Sequence, residues 1–143
     1  LADDEKAYRS ITLSWFEHSP LHDILKQIAA KKGKLIITTD HGTIKVTEPS
    51  KVVGDKNVNT NSRYKQGKSL DYVKKDVFEI RNPADAFLPK QHVSSVFVFV
   101  KDDLFFAYPN NYNYYVSYYR NTFQHGGISM EEMLIPYVTL QPK

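Results

Sequence analysis

The feature that most constrains this chain is a short run, Leu35-Ile36-Ile37-Thr38-Thr39, that is apolar and β-branched, does not alternate, and stops on Asp40-His41-Gly42. A run of this kind predicts a strand covered on both faces, as in the parallel sheet of an α/β protein. Ligands in such sheets collect at the carboxyl ends of the strands. Asp40 and His41 fall at that end, and a carboxylate beside an imidazole is a donor pair for zinc or another divalent ion. The same tripeptide also reads as an ordinary polar turn, with Asp40 accepting backbone hydrogen bonds and Gly42 supplying an unusual dihedral. A second His before glycines, His125-Gly126-Gly127, is equally compatible with a plain turn when taken alone.

The elements around these motifs read as an alternation of helix and strand. Tyr8, Ile11 and Trp15 recur at helical spacing after Asp3 or Asp4 as a cap, and Leu21, Ile24, Leu25 and Ile28 form a second stripe. Pro20 after Ser19 opens that second helix and Gly33 stops it. Thr43 to Thr47 reads as a short strand ended by Pro49, and residues 54 to 70, rich in Gly, Asn, Ser and Lys, read as a long loop. Val77 to Ile80 is a further strand, and Asn82-Pro83 opens a helical turn through Ala86. Val93 to Val100 and Leu104 to Tyr108, separated by Lys101-Asp102-Asp103, read as a hairpin. Ser129 and Glu132 form a capping box for a short helix that Pro136 ends, and Tyr137 to Leu140 closes as a strand. Residues 108 to 119, with six tyrosines and three asparagines, fit no single element; they read as packed core or a subunit interface, compatible with a homodimer, in preference to a platform for a nucleobase.

Composition narrows the function classes. At 143 residues the chain is sized for one core, and its lack of cysteine excludes a disulfide scaffold and a cysteine-ligated zinc. No apolar stretch is long enough for a bilayer and the acidic start is unlike a signal peptide, so the expectation is a cytoplasmic protein without membrane insertion. The net charge of +3 is too small for a nucleic-acid coat, yet residues 51 to 75 carry seven Lys and Arg against two Asp, a local +5. Arg63, Lys65 and Lys68 lie there as candidate donors to substrate phosphate, the alternative being a solvated basic loop. His18, His22 and His92 read as surface or helix-end residues, since none pairs with an acid at ligand spacing.

Thr39-Asp40-His41-Gly42 together with the string from His125 to Pro136 resembles the PglZ domain, a branch of the alkaline phosphatase superfamily. The stretches Asn61 to Lys68 and Phe105 to Tyr112 resemble more specifically the PglZ effector part of PorX-like response regulators, found with type IX secretion in Bacteroidetes. The resemblance spans nearly the whole chain and is sharpest at residues 35 to 68 and 104 to 138. It implies an α/β fold, the carboxyl-terminal part of an α/β/α domain with a mixed sheet. It also implies two zinc ions per intact domain, with Asp40 and His41 on one and His125 on the other. The implied substrate is a phosphoester of nucleotide type, such as an oligonucleotide or cyclic nucleotide, and the implied partners are signalling or secretion proteins.

The superfamily also uses a further Asp, a Ser or Thr nucleophile and an Asp-x-x-x-His pair ahead of the Asp-His motif. None of the ten Asp residues here has His four positions later. The expectation is therefore a fragment without a catalytic nucleophile, inactive alone and holding zinc weakly or not at all, whose parent is a phosphatase or phosphodiesterase. The competing expectation is a catalytically degenerate module that binds protein partners.

Overall fold

The computed structural model describes residues 4–54, 58–90, 92 and 94–142. Asp3, Asp55, Lys56 and Val93, which entered the sequence reading, lie outside the described residues. The chain is a mixed α/β fold that divides into two compact units, one of Leu1–Thr39 with Pro136–Lys143 and the other of Asp40–Ile135.

The first unit contains α1 (Glu5–Glu17), α2 (Pro20–Ala30), β1 (Leu35–Thr38) and, from the far end of the chain, β10 (Tyr137–Leu140). Asp4 caps α1 by accepting the Ala7 N–H at 2.7 Å, and Pro20 stands in the first turn of α2 after Ser19, both as the sequence indicates. The stop of α2 differs in detail. Lys32, and not Gly33, takes the left-handed conformation with φ of 55°, while the Gly33 N–H closes the end onto the Ile28 carbonyl at 2.9 Å. β1 also departs from expectation. It pairs antiparallel with β10 in a two-stranded sheet, Leu35 opposite Leu140 through Thr38 opposite Tyr137, and Ile36 and Ile37 are 53% and 41% exposed. The apolar run is matched across the ladder by Tyr137, Val138 and Leu140, so cross-strand pairing takes the place of two covering layers.

The second unit carries the buried core. Its strands are β2 (Ile44–Val46), β3 (Glu48–Val53), β4 (Tyr64–Gly67), β5 (Asp71–Tyr72), β6 (Val77–Ile80), β7 (Val96–Val100), β8 (Leu104–Ala107) and β9 (Thr122–Gln124), with α3 (Tyr112–Tyr119) and α4 (Met130–Met133). One three-stranded sheet has the order β5-β3-β8 and is mixed, antiparallel at β5 and parallel at β8; the other, β4-β7-β6, is antiparallel; β2 pairs β9. β6 and a 3-10 turn over Pro83–Ala86 stand where the sequence puts them.

The alternation Val-Phe-Val-Phe-Val in β7 explains its central place. Val98 and Val100 join Val52, Val77 and Phe106 in one core cluster, and Phe97 and Phe99 stack with Tyr64 at 5.8 to 6.2 Å between ring centres. β8 is shared in the same way: Phe106 enters that cluster, while Phe105 and Ala107 join Val46 beneath α3. The expected hairpin of β7 with β8 is therefore not formed. The turn at Lys101–Leu104 exists, but β8 leaves it to pair parallel with β3, because its two faces are needed in two different clusters.

Two further expectations are corrected. Pro49 does not end a strand but lies inside β3, opposite Phe105. The basic segment is not one long loop, since β4 runs through it with Lys65 opposite Val98. The tyrosine-rich segment resolves into α3, whose Tyr112, Tyr115 and Tyr119 pack on the Val46–Phe105 cluster at helical spacing. Tyr114 and Tyr118, on the other side, stack at 6.1 Å and remain exposed. Among the described residues no helix is long and apolar enough to cross a membrane.

Candidate functional site

The two sequence motifs, more than eighty residues apart, meet in space. The His41 and His125 rings stack at 3.9 Å between centres with 11° between planes. Asp40 is beside His41: its Oδ1 lies 3.7 Å from His41 Nε2, and its side chain is 90% exposed. His41 Nδ1 is 2.9 Å from the Gly42 carbonyl. A carbonyl only accepts, so Nδ1 carries a proton, and Nε2 is the ring nitrogen on the side of Asp40. A backbone carbonyl behind a histidine in this way is the usual support of a metal-ligating imidazole.

Donor chemistry thus fits a divalent ion, but geometry limits how. The lone pairs of two stacked imidazoles lie in parallel planes and do not converge on one point. Such rings suit two neighbouring ions better than one shared ion. Among the described residues no three acid or imidazole groups converge to hold a single ion, and zinc is ordinarily four-coordinate. Asp40, His41 and His125 are donors of the kind a divalent ion takes, with the two imidazoles set side by side.

The glycines of both motifs are fixed by close approach. A Cβ on Gly42 would lie 2.0 Å from the Glu131 carbonyl oxygen, so the unusual dihedral expected of it is not the reason for glycine there. Gly126 does have a positive φ, 99°, and a Cβ on it would meet the Asn61 amide at 2.5 Å. A Cβ on Gly127 would lie 2.5 Å from a Glu132 carboxylate oxygen.

Glu132 is the residue that sequence reasoning under-read. As expected it closes a capping box on α4, accepting the Ser129 N–H at 3.2 Å while its own N–H donates to Ser129 Oγ at 3.3 Å. Its carboxylate also accepts the Gly127 N–H at 2.9 Å, and its backbone carbonyl accepts the Gly42 N–H at 2.8 Å. Against it lies Arg63, donating from Nε to Oε1 and from Nη2 to Oε2, both at 2.9 Å. The Arg63 guanidinium also donates to the carbonyls of Leu104 and Asp102. Both side chains are buried, at 0% and 1% exposure. Burial pushes the Glu132 carboxyl up, but the Arg63 hydrogen bonds, the Gly127 N–H, the Arg63 charge and the Ser129 N–H outweigh it and hold the group below the usual carboxylate value.

Two of the three basic residues singled out in the 51 to 75 segment, Arg63 and Lys65, are buried, unlike either reading left open by the sequence, a phosphate-facing loop or a solvated one. Arg63 is enclosed, because the Arg63 carbonyl accepts from Val100 and the Ser62 carbonyl accepts from Phe106, which sets this backbone between β7 and β8. Lys65 is 1% exposed, donating from Nζ to the Asn59 carbonyl at 2.8 Å and lying 4.5 Å from the centre of the Tyr108 ring. Burial lowers its pKa to about 8. Lys68 alone of the three is at the surface. Asn61 supports the site from the same segment: its amide donates to the His125 carbonyl at 3.1 Å and its oxygen accepts the Arg63 N–H at 2.7 Å. Ser62 Oγ donates to the Gln124 side chain at 2.8 Å. The sequence signal for Asn61 was its place in the family-like stretch, with nothing to say which loop it would hold.

No curated protein matches the chain. The sequence model of a protein family described as the BREX system PglZ alkaline phosphatase-like domain matches residues 5–140. With nearly every residue matched and the two histidine motifs of the site both inside the match, the chain belongs to this PglZ alkaline phosphatase-like family.

Proposed function

We propose that the chain is the metal-holding carboxyl-terminal part of a PglZ effector domain, and that the whole protein hydrolyses phosphoesters of nucleotide type with zinc as the output of a response regulator of the PorX-like, type IX secretion class. The observation that carries the reading is the stacking of the His41 ring on the His125 ring, with Asp40 beside His41. In this reading Asp40 and His41 hold one ion and His125 holds the other. When bound, a pair of such ions would supply Lewis acidity toward a phosphoryl group and activate a hydroxyl nucleophile. The chain's own part is to fix the imidazoles: the Gly42 carbonyl holds His41 Nδ1, and the Asn61 amide holds the His125 backbone. Lys68 is the remaining basic side chain of the three available at the surface for an anionic substrate.

The test is zinc content and turnover of a chromogenic phosphodiester in the whole protein and in its His125→Ala variant. The variant is expected to lose both, by more than the roughly 10- to 100-fold that follows loss of an outer-shell partner of a metal ligand. Unchanged zinc and turnover would refute the reading. A catalytically degenerate module that binds protein partners is the second reading; a whole protein with neither zinc nor turnover that binds a protein partner would favour it.

A further inference from the structure

The Arg63–Glu132 pair is tied to both histidine loops. The Glu132 carbonyl holds Gly42, next to His41; its carboxylate holds Gly127, two residues from His125; and Asn61, which accepts the Arg63 N–H, holds the His125 carbonyl. A buried ion pair is a poor source of stability, since well-packed apolar side chains of the same volume commonly do as well or better. What such a pair supplies with certainty is direction, because a bidentate guanidinium–carboxylate contact has one geometry. Here the remaining carboxylate hydrogen bonds go to the loop after His125, and the guanidinium also donates to the turn that brings β8 out of β7. We propose that Arg63 and Glu132 are positioning residues, a latch that sets the spacing of the His41 and His125 rings and couples the two loops into one unit. The latch thereby governs metal binding at the two rings, a role that rests on the reading of these histidines as ligands, whereas the coupling of the loops does not.

A conservative variant and the unmodified chain test this together. Arg63→Lys keeps the charge and removes the bidentate contact. It is examined at low temperature, where circular dichroism reports whether it is folded. The readouts are the nuclear Overhauser contact between the His41 and His125 ring protons, and the shifts of those protons during titration with zinc chloride. The expected result is loss of the inter-ring contact and zinc binding weaker by about 10-fold or more, with the Tyr64–Phe97–Phe99 ring signals unchanged. In the unmodified chain the Gly42 and Gly127 amides are expected to exchange in one opening, with the same denaturant dependence and protection within about threefold of each other. Separate openings of these two amides, or a folded Arg63→Lys chain that keeps the inter-ring contact, would overturn the latch. If Arg63→Lys does not fold, amide exchange in the unmodified chain decides alone. If zinc shifts neither ring in the unmodified chain, metal binding by the chain is what fails, and exchange and the inter-ring contact still decide the coupling.

Discussion

At the scale of single residues, the site is governed by what has no room to change. Gly42 has an ordinary φ and would be a tolerant position on dihedral grounds, yet its missing side chain is where the Glu131 carbonyl sits. Gly42→Ala is therefore expected to cost about 3 kcal/mol or more, since backbone and not a flexible side chain must move, and to separate the two histidine rings. Urea denaturation and the inter-ring contact check it; a loss under about 1 kcal/mol would show that the turn gives way easily. The candidate residues were nameable in the sequence only through the family resemblance, since Asp-His-Gly and His-Gly-Gly taken singly read as plain turns; the structure adds that the rings of His41 and His125 stack. The partners were not legible. Arg63 and Lys65 carry the composition of a solvated loop, and nothing local tells that one lies on a carboxylate 69 positions away and the other under a tyrosine ring.

At the scale of elements, local signals held and long-range ones did not. Caps and breakers at Asp4, Ser19-Pro20 and Ser129–Glu132 marked real helix starts, because they act within one turn of the chain. The β7–β8 hairpin failed because a turn and two apolar runs do not state whether the runs pair with each other or with third strands. β4 was hidden for a related reason, its inward residue being a lysine. That lysine gives the element a measurable property. With the native Lys65 pKa lowered to about 8 by burial and the unfolded value near about 10.4, the unfolded chain binds the extra proton between these limits. Stability is thus expected to rise with pH from about 8 to about 10, the opposite of a lysine held by a carboxylate. Urea midpoints across that range check it, with Lys65→Met expected to remove the slope; an unchanged slope in that variant would place its origin elsewhere.

At the scale of the whole molecule, burial is unevenly distributed. None of the residues of α1, α2 or β10 is buried, and the core clusters draw wholly on the Asp40–Ile135 unit. Amide exchange is expected to be slowest at Val98 and Val100 in β7 and fastest, among elements with regular hydrogen bonding, in α1 and β10. Equal protection across both units would contradict that ranking. The Arg63–Glu132 contact spans 69 positions of chain, and Asn61 to His125 spans 64. Contacts that close such long loops spend chain entropy before they return energy, and the β2–β9 ladder of the same unit closes a longer loop still, so contacts and ladder are expected to form late and together. The centre where the histidines meet is then expected among the later parts of the unit to be built. Loosening Arg63 should speed unfolding in stopped-flow denaturation while leaving the refolding rate nearly untouched. A newly made chain would accordingly form its shorter-range strand pairs, those of β7 with β4 and β6, before it had a place for a ligand.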